Sequence, residues 1–176
     1  MKINAEDVSS QNQIKSSAQR AIKSAILSQF PRLEPVINDI FSKKPPLIIA
    51  KCPDHISLVV KDGLTLFFQQ RDGPWVPSLR LIHKYPTMLP KMQVDSGALK
   101  FVLRGSNIMC PGLTSPGGRM EEVEAGVIVQ IIIENRENAC AVGKTIMSTR
   151  EIIEKNKDVC IENLHYLNDG LWNLSL

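Results

Sequence analysis

The residues best placed to do chemistry lie between Val94 and Gly118, in the run VDSGALKFVLRGSNIMCPGLTSPGG. Their types suit the holding of a polyanion and do not suit bond-making. Lys100 and Arg104 supply cations, while Gly97, Gly105 and Gly112 allow a ligand to approach the backbone closely. Free backbone N–H groups near these glycines complete a set able to hold a nucleic-acid backbone. On residue types alone, the same run serves equally well as a structural helix, turn and strand.

Catalytic alternatives lack a necessary partner. Gly143-Lys144-Thr145 has the tail of a phosphate-binding loop, but Asn138 stands where the upstream glycine is required, and the flanks read as strand. Cys52-x-x-His55 is one ligand pair with no second pair at zinc spacing. Ser115 precedes Pro-Gly-Gly and forms no nucleophile elbow; Cys110 falls in a strand. His165 alternates with Tyr166 along a strand and reads as structural. Glu121, Glu122 and Glu124 read as a solvated turn. No catalytic residue, metal site or cofactor is expected.

The elements positioning the run follow from local signals. Asp95-Ser96 can cap a helix starting near Gly97, with Ala98, Leu99, Phe101, Val102 and Leu103 as its apolar stripe and Gly105 as its stop. Phe101, Leu103 and Met109 are expected in the core, although one of the first two could anchor a partner. Asn107–Cys110 reads as a short strand and Pro111-Gly112 as the turn ending it. Upstream, apolar residues recur at Ile14, Ala18, Ile22, Ala25/Ile26 and Phe30, so residues 8–30 read as one helix ended by Pro31. A second helix spans Pro35 to Phe41.

Strands are expected at residues 47–52, 56–60 and 64–69, the last two joined through Lys61-Asp62-Gly63. Gly73–Pro77 reads as a loop in which Trp75 is either exposed or packed at a rim, and Ser78–His83 as a short helix. Tyr85-Pro86 to Leu89-Pro90 reads as an extended linker, placing a domain boundary between 1–90 and 91–176. Downstream strands are expected over 126–134, 139–147 and 159–166, a helix opened by Ser148-Thr149-Arg150-Glu151, and a closing strand at 171–176. These compose an α+β chain whose second half is a partly open barrel.

Composition agrees with a folded chain: 43% of residues are hydrophobic and 22% charged. No stretch approaches the roughly 20 apolar residues of a membrane span, and Met1–Ser10 lacks the features of a signal peptide. Cys52, Cys110, Cys140 and Cys160 are irregularly spaced, so buried free thiols are expected. The net charge of +3 is uneven: residues 1–93 hold 13 Lys/Arg against 7 Asp/Glu, and residues 94–176 hold 8 against 11. Lys84 beside Tyr85 suits backbone-plus-stacking contact with nucleic acid, or packing within a linker.

The order Gly97-Ala98, Gly105, Asn107, Met109-x-Pro111-Gly112 resembles the PUA domain, a small RNA-binding β-barrel. Leu81-Ile82-His83-Lys84-Tyr85-Pro86, the run from Ile161 to Trp172, and the hairpin from Leu66-Phe67-Phe68 to Gly73-Pro74 extend the likeness over nearly the whole chain. Together they resemble the malignant T-cell amplified sequence family, and the N-terminal module of ligatin is related. The resemblance implies an N-terminal pre-PUA α/β domain and a C-terminal PUA pseudo-barrel. It also implies a non-catalytic, cytoplasmic translation factor that binds the small ribosomal subunit with a density-regulated-protein partner. Its expected work is tRNA release in recycling, and initiation or re-initiation. Expected contacts are small-subunit rRNA and tRNA, through Lys84, Lys100, Arg104 and Arg119 for phosphate and Gly97, Gly105, Asn107 and Gly112 for the RNA-facing backbone. The run departs from the family pattern at Arg104-Gly105-Ser106 and in the acidic Glu121–Glu124 segment. Alternatives are an RNA-binding accessory of an RNA-modification complex, and a protein-interaction adaptor.

Overall fold

A computed structural model describes residues Met1–Leu176. They gather into two units: Lys2–Ser78 with Asn173–Leu176, and Leu79–Trp172 with Met1. No helix is long and apolar enough to cross a membrane.

The first unit runs β1 (Ser10–Gln13), α1 (Ser16–Gln29), a 3-10 segment (Pro31–Val36), α2 (Ile37–Ile40), β2 (Leu47–Cys52), β3 (Ile56–Lys61), β4 (Leu64–Gln70) and β5 (Val76–Pro77). The strands form one antiparallel sheet in sequence order. The single helix expected over 8–30 is thus divided. Ser-Gln-Asn-Gln offers no apolar side chain to a helical stripe, and instead pairs with β2 from Ser10↔Lys51 to Gln13↔Ile48. The helix then ends as expected at Phe30, whose N–H bonds the Ile26 carbonyl at 2.8 Å before Pro31.

Phe67, fully buried in β4, stacks between Phe30 and Phe41 with ring centroids 6.5 and 6.4 Å away. The β3–β4 turn places Asp62 and Gly63 at φ 53° and 79°, the mirror-image turn that the right-handed twist of a hairpin favours. Trp75 is buried, and its loop is tied down: its N–H donates to Gln29 Oε1 at 2.9 Å, and Val76–Pro77 pairs with β4.

The second unit runs α3 (Leu79–Lys84), β6 (Lys91–Val94), a 3-10 turn (Ser96–Ala98), α4 (Leu99–Val102), β7 (Ile108–Met109), α5 (Cys110–Thr114), β8 (Arg119–Met120), β9 (Ile128–Ile133), β10 (Ala141–Thr145), α6 (Thr149–Lys155), β11 (Val159–Tyr166) and α7 (Gly170–Asn173). Its sheet has the order β7-β11-β10-β9-β6-β8, with β6–β9 the one parallel pair, and curls into a half-barrel. Met92, Val94, Leu113, Ile131, Ile152 and Ile161 pack in its core. Every residue of β9 is buried, including Gln130, whose Nε2 donates to the carbonyls of Pro86 and Leu89 at 2.8 and 2.9 Å.

That amide corrects the extended linker expected over 85–90. Those residues form a turn closed by Met88 N–H to the Tyr85 carbonyl, with Met88 and Leu89 buried. Two further expectations change. Pro111-Gly112 lies inside α5, where proline suits the first helical turn because it has no N–H to leave unpaired. The closing strand is instead α7, because Asp169 Oδ1 accepts the Trp172 N–H at 2.8 Å as a helix cap does. The capping box of α6 forms between Ser148 and Glu151. Gly143 sits in β10 facing β11 so closely that a Cβ would stand 2.5 Å from Ile161 Cγ2, so Gly143-Lys144-Thr145 is strand packing. All four cysteines are buried free thiols, and burial pushes Cys140 and Cys160 up to about 12.

Candidate nucleic-acid interface

α4 has one turn. Five apolar residues within Ala98–Leu103 cannot all turn inward from so short an element: Val102 is buried, Leu99 and Leu103 are half-buried, and Phe101 is 51% exposed. Asp95 holds the position before the turn through its backbone, since Ala98 N–H bonds its carbonyl at 3.1 Å. Its side chain makes no cap bond, which corrects the expected role of that carboxylate. The 3-10 turn and α4 lean over β7 and leave an open cleft of about 810 Å³. Val94, Val102, Ile108 and Val159 give its apolar wall, while Phe101 and Met109 (47% exposed) stand in solvent at its edge. This exposure corrects the core placement of both residues.

Gly97, Asn107 and Gly112 line this cleft. Asn107 Oδ1 accepts the Asn163 N–H at 3.0 Å, while Asn163 Nδ2 donates to the carbonyls of Ser106 and Val102 at 3.0 and 3.2 Å. These bonds pin the α4–β7 loop to β11. Gly105 ends α4 at φ +89°, and a Cβ there would meet the Tyr166 ring at 3.0 Å. Lys100 is exposed, with Nζ 5.1 Å from the Phe101 ring centroid, and Arg104 is exposed at the exit of α4. Lys100, Arg104 and Gly105, like Lys84 and Arg119, fall outside the cleft lining. Lys84 is exposed at the end of α3, with Nζ 5.6 Å from the Tyr85 centroid, and Arg119 is exposed on β8 opposite Gln93.

Asp95 lines the cleft itself, while two other acidic residues are fixed to the scaffold. Glu134 Oε2 accepts the Ser96 N–H at 3.3 Å. Glu121 is no solvated turn residue: its carboxylate accepts the Lys91 N–H and its carbonyl the Thr149 hydroxyl.

Residues 165–172 form a buried polar knot. Asp169 Oδ2 accepts from His165 Nδ1 (2.8 Å), the Tyr166 N–H (3.0 Å) and the Met1 ammonium (2.8 Å). His165 Nε2 accepts the Leu79 N–H at 3.1 Å, which requires a neutral ring with its proton on Nδ1. Burial is the main force holding His165 below its ordinary value, against the pull of Asp169, and the Met1 ammonium and His83 add to it. Burial alone would raise Asp169, but the hydrogen bonds from His165, the ammonium and the Trp172 N–H carry it below its ordinary range. With both ring nitrogens engaged, His165 activates no nucleophile. No three His, Cys, Asp or Glu side chains converge as metal ligands.

The site offers an apolar wall, two exposed nonpolar side chains, two nearby cations and backbone at two glycines. Sequence reasoning found the run but misplaced Phe101 and Met109. The available signal was the distance from Asp95 to Gly105, too short for a helix that could bury five apolar residues.

Family profiles match this architecture. The Pre-PUA-like domain covers residues 3–86 and the PUA domain residues 90–167. The chain is 50% identical over 169 residues to malignant T-cell-amplified sequence 1 of Rattus norvegicus, covering 96% of this chain and 93% of that one. It is 51% identical over 162 residues to the Dictyostelium discoideum homologue, covering 92% and 89%. Among solved structures, a hypothetical protein of Pyrococcus horikoshii superposes with a TM-score of 0.75 at 19% identity, over 93% of this chain and 98% of that one. A PUA domain protein of Aeropyrum pernix gives 0.72 at 20%, over 93% and 89%; both speak for the fold. A pre-PUA unit followed by a PUA half-barrel, with half its residues shared with these relatives, makes this chain a member of the malignant T-cell-amplified sequence family.

Proposed function

We propose that the chain is a non-catalytic translation factor that binds the small ribosomal subunit through RNA. In this reading it works with a density-regulated-protein-like partner, in tRNA release during recycling and in initiation or re-initiation. Membership of the family and the PUA domain support an RNA-binding, translation-related role. The observation that carries the reading is the exposure of Phe101 and Met109 at the cleft edge, with Lys100 against the Phe101 ring and Arg104 exposed at the exit of α4. An aromatic and a thioether in solvent cost hydration free energy that a stacked base or ribose would recover, while the cations meet phosphate. Gly97 and Gly112 let the nucleotide backbone come close to the wall. Recognition of this kind reads shape and charge, with little sequence preference.

The domains divide the work at residue 90 in this proposal, with 91–176 holding RNA and 1–90 serving as the second platform. Lys84 and Arg119 extend the phosphate track beyond the cleft, and Gly105 and Asn107 hold the loop that shapes it. The test is co-sedimentation with purified small subunits over a salt series, with and without the partner. Binding that weakens smoothly with salt is the expected result. The variant Lys100→Glu with Arg104→Glu weakens it further while the fold is retained. Unchanged affinity in that variant removes this surface from the proposal.

A further inference from the structure

The first unit carries a second cleft, of about 550 Å³, between the start of α1 and the α2–β2 loop. Its charged lining is Arg20, Lys23 and Lys43, with no carboxylate among the lining residues. Lys15, at the position before α1, and Lys44, beside Lys43, flank it. Lys23 Nζ points at an amide oxygen, Asn38 Oδ1, at 2.6 Å, and neither Arg20 nor Lys43 is engaged by a carboxylate. The helix adds to this field. No side chain caps α1, its first turn carries no acidic residue, and its 14 residues give a full helix dipole with the positive end here. Gln19, also in the lining, is bonded to the Phe41 carbonyl at 3.4 Å. The unit's nearby acids, Glu34 and Asp39, do not line the cleft.

Charges of one sign gathered around one cleft repel one another, and no carboxylate in its lining offsets that cost. Arg20 and Lys23 stand three residues apart on one helix face, and Lys43-Lys44 approach from a separate loop, so the array is two-sided. A groove with cations from both α1 and the α2–β2 loop, and Ser16 and Pro46 also in its lining, fits a chain of phosphates. We propose that this cleft in the first unit is a second RNA phosphate-backbone site, built from Lys15, Arg20, Lys23, Lys43 and Lys44. It deepens the RNA reading above, and gives the pre-PUA unit its own grip.

The experiment uses the full chain with a labelled RNA hairpin, measuring affinity as salt is varied. Each phosphate contact adds about 0.7–0.9 to the slope of log K against log salt, so Arg20→Gln with Lys23→Gln lowers that slope by about 1.4–1.8. Asn38→Asp, which removes no cation but places a carboxylate against Lys23, also weakens binding. Circular dichroism checks that each variant keeps its fold. Those two results, together with a separate loss in Lys100→Glu/Arg104→Glu, support two sites. If the cleft variants of the second unit weaken binding and the α1 variants bind like the parent, the second site falls and the PUA reading stands. If the parent binds no RNA, both fall. If the parent prefers polyglutamate to the hairpin, and Arg20→Gln/Lys23→Gln abolishes that preference, the cleft belongs to an acidic protein and this assignment is overturned.

Discussion

Acid should unlock the second unit through His165, and the geometry fixes the sign. In the folded chain Nε2 accepts the Leu79 N–H, so a proton added there would face another donor, and burial further disfavours the charge. The folded value therefore lies below the ordinary 6.5. Once the pH drops under that ordinary value the unfolded chain takes up a proton that the folded chain refuses, and stability falls until the folded value is passed. Within that window the loss approaches about 1.4 kcal/mol per pH unit for the one proton. With a urea slope of about 1–3 kcal/mol/M, the unfolding midpoint moves by roughly 0.5–1.4 M per unit. Asp169, held below its ordinary 3.8, adds a second loss only as the pH falls through that value.

The assay is urea unfolding followed by tryptophan fluorescence, from about pH 7.5 to about pH 5 at constant ionic strength. His165→Asn supplies the control. At the upper pH it should lose about 2–4 kcal/mol, since the Leu79 N–H and one Asp169 bond are left unmatched in a buried site. Between the two pH values it should lack most of the parent's slope. A parent midpoint that stays constant across this range, or a variant that keeps the parent's slope, refutes the argument.

Phe101→Ala should lower affinity for an RNA hairpin by about 1–3 kcal/mol, the worth of one stacked base. Because Phe101 is half in solvent, unfolding should change by less than about 0.5 kcal/mol; unaltered affinity would discard the stacking role. Gly105→Ala should cost about 1–2 kcal/mol in urea unfolding, from its positive φ, with the contact to Tyr166 added. A loss under about 0.5 kcal/mol would mean the loop relaxes away from that conformation.

Much of this could be read from the residues because local chemistry and the fold agreed. The Asp62-Gly63 turn, the Ser148–Glu151 capping box, the stop at Gly105 and the eight-residue strand Val159–Tyr166 are each specified by neighbours in sequence. The failures came where a distant partner decided. Ser10–Gln13 is a strand only because β2 offers it an edge, and 85–90 is a buried turn only because Gln130 reaches its carbonyls. At the site, the cations and glycines were readable by type, but the direction in which Phe101 points depends on α4 stopping after a single turn. The basic cleft of the first unit was invisible for a related reason: Lys15, Arg20 and Lys23 are brought to Lys43 by packing, and a charge tally registers only the excess.

The grouping of Asn173–Leu176 with the first unit has a consequence for synthesis. Leu174 is buried there, and the Leu176 N–H bonds the Gly63 carbonyl at 2.9 Å. The first unit therefore takes an apolar plug, Leu174, and a backbone bond from residues that follow the whole of the second unit in sequence. Before those residues emerge, the β3–β4 turn lacks that bond. Completion of the first unit therefore waits until the whole of the second unit has been made.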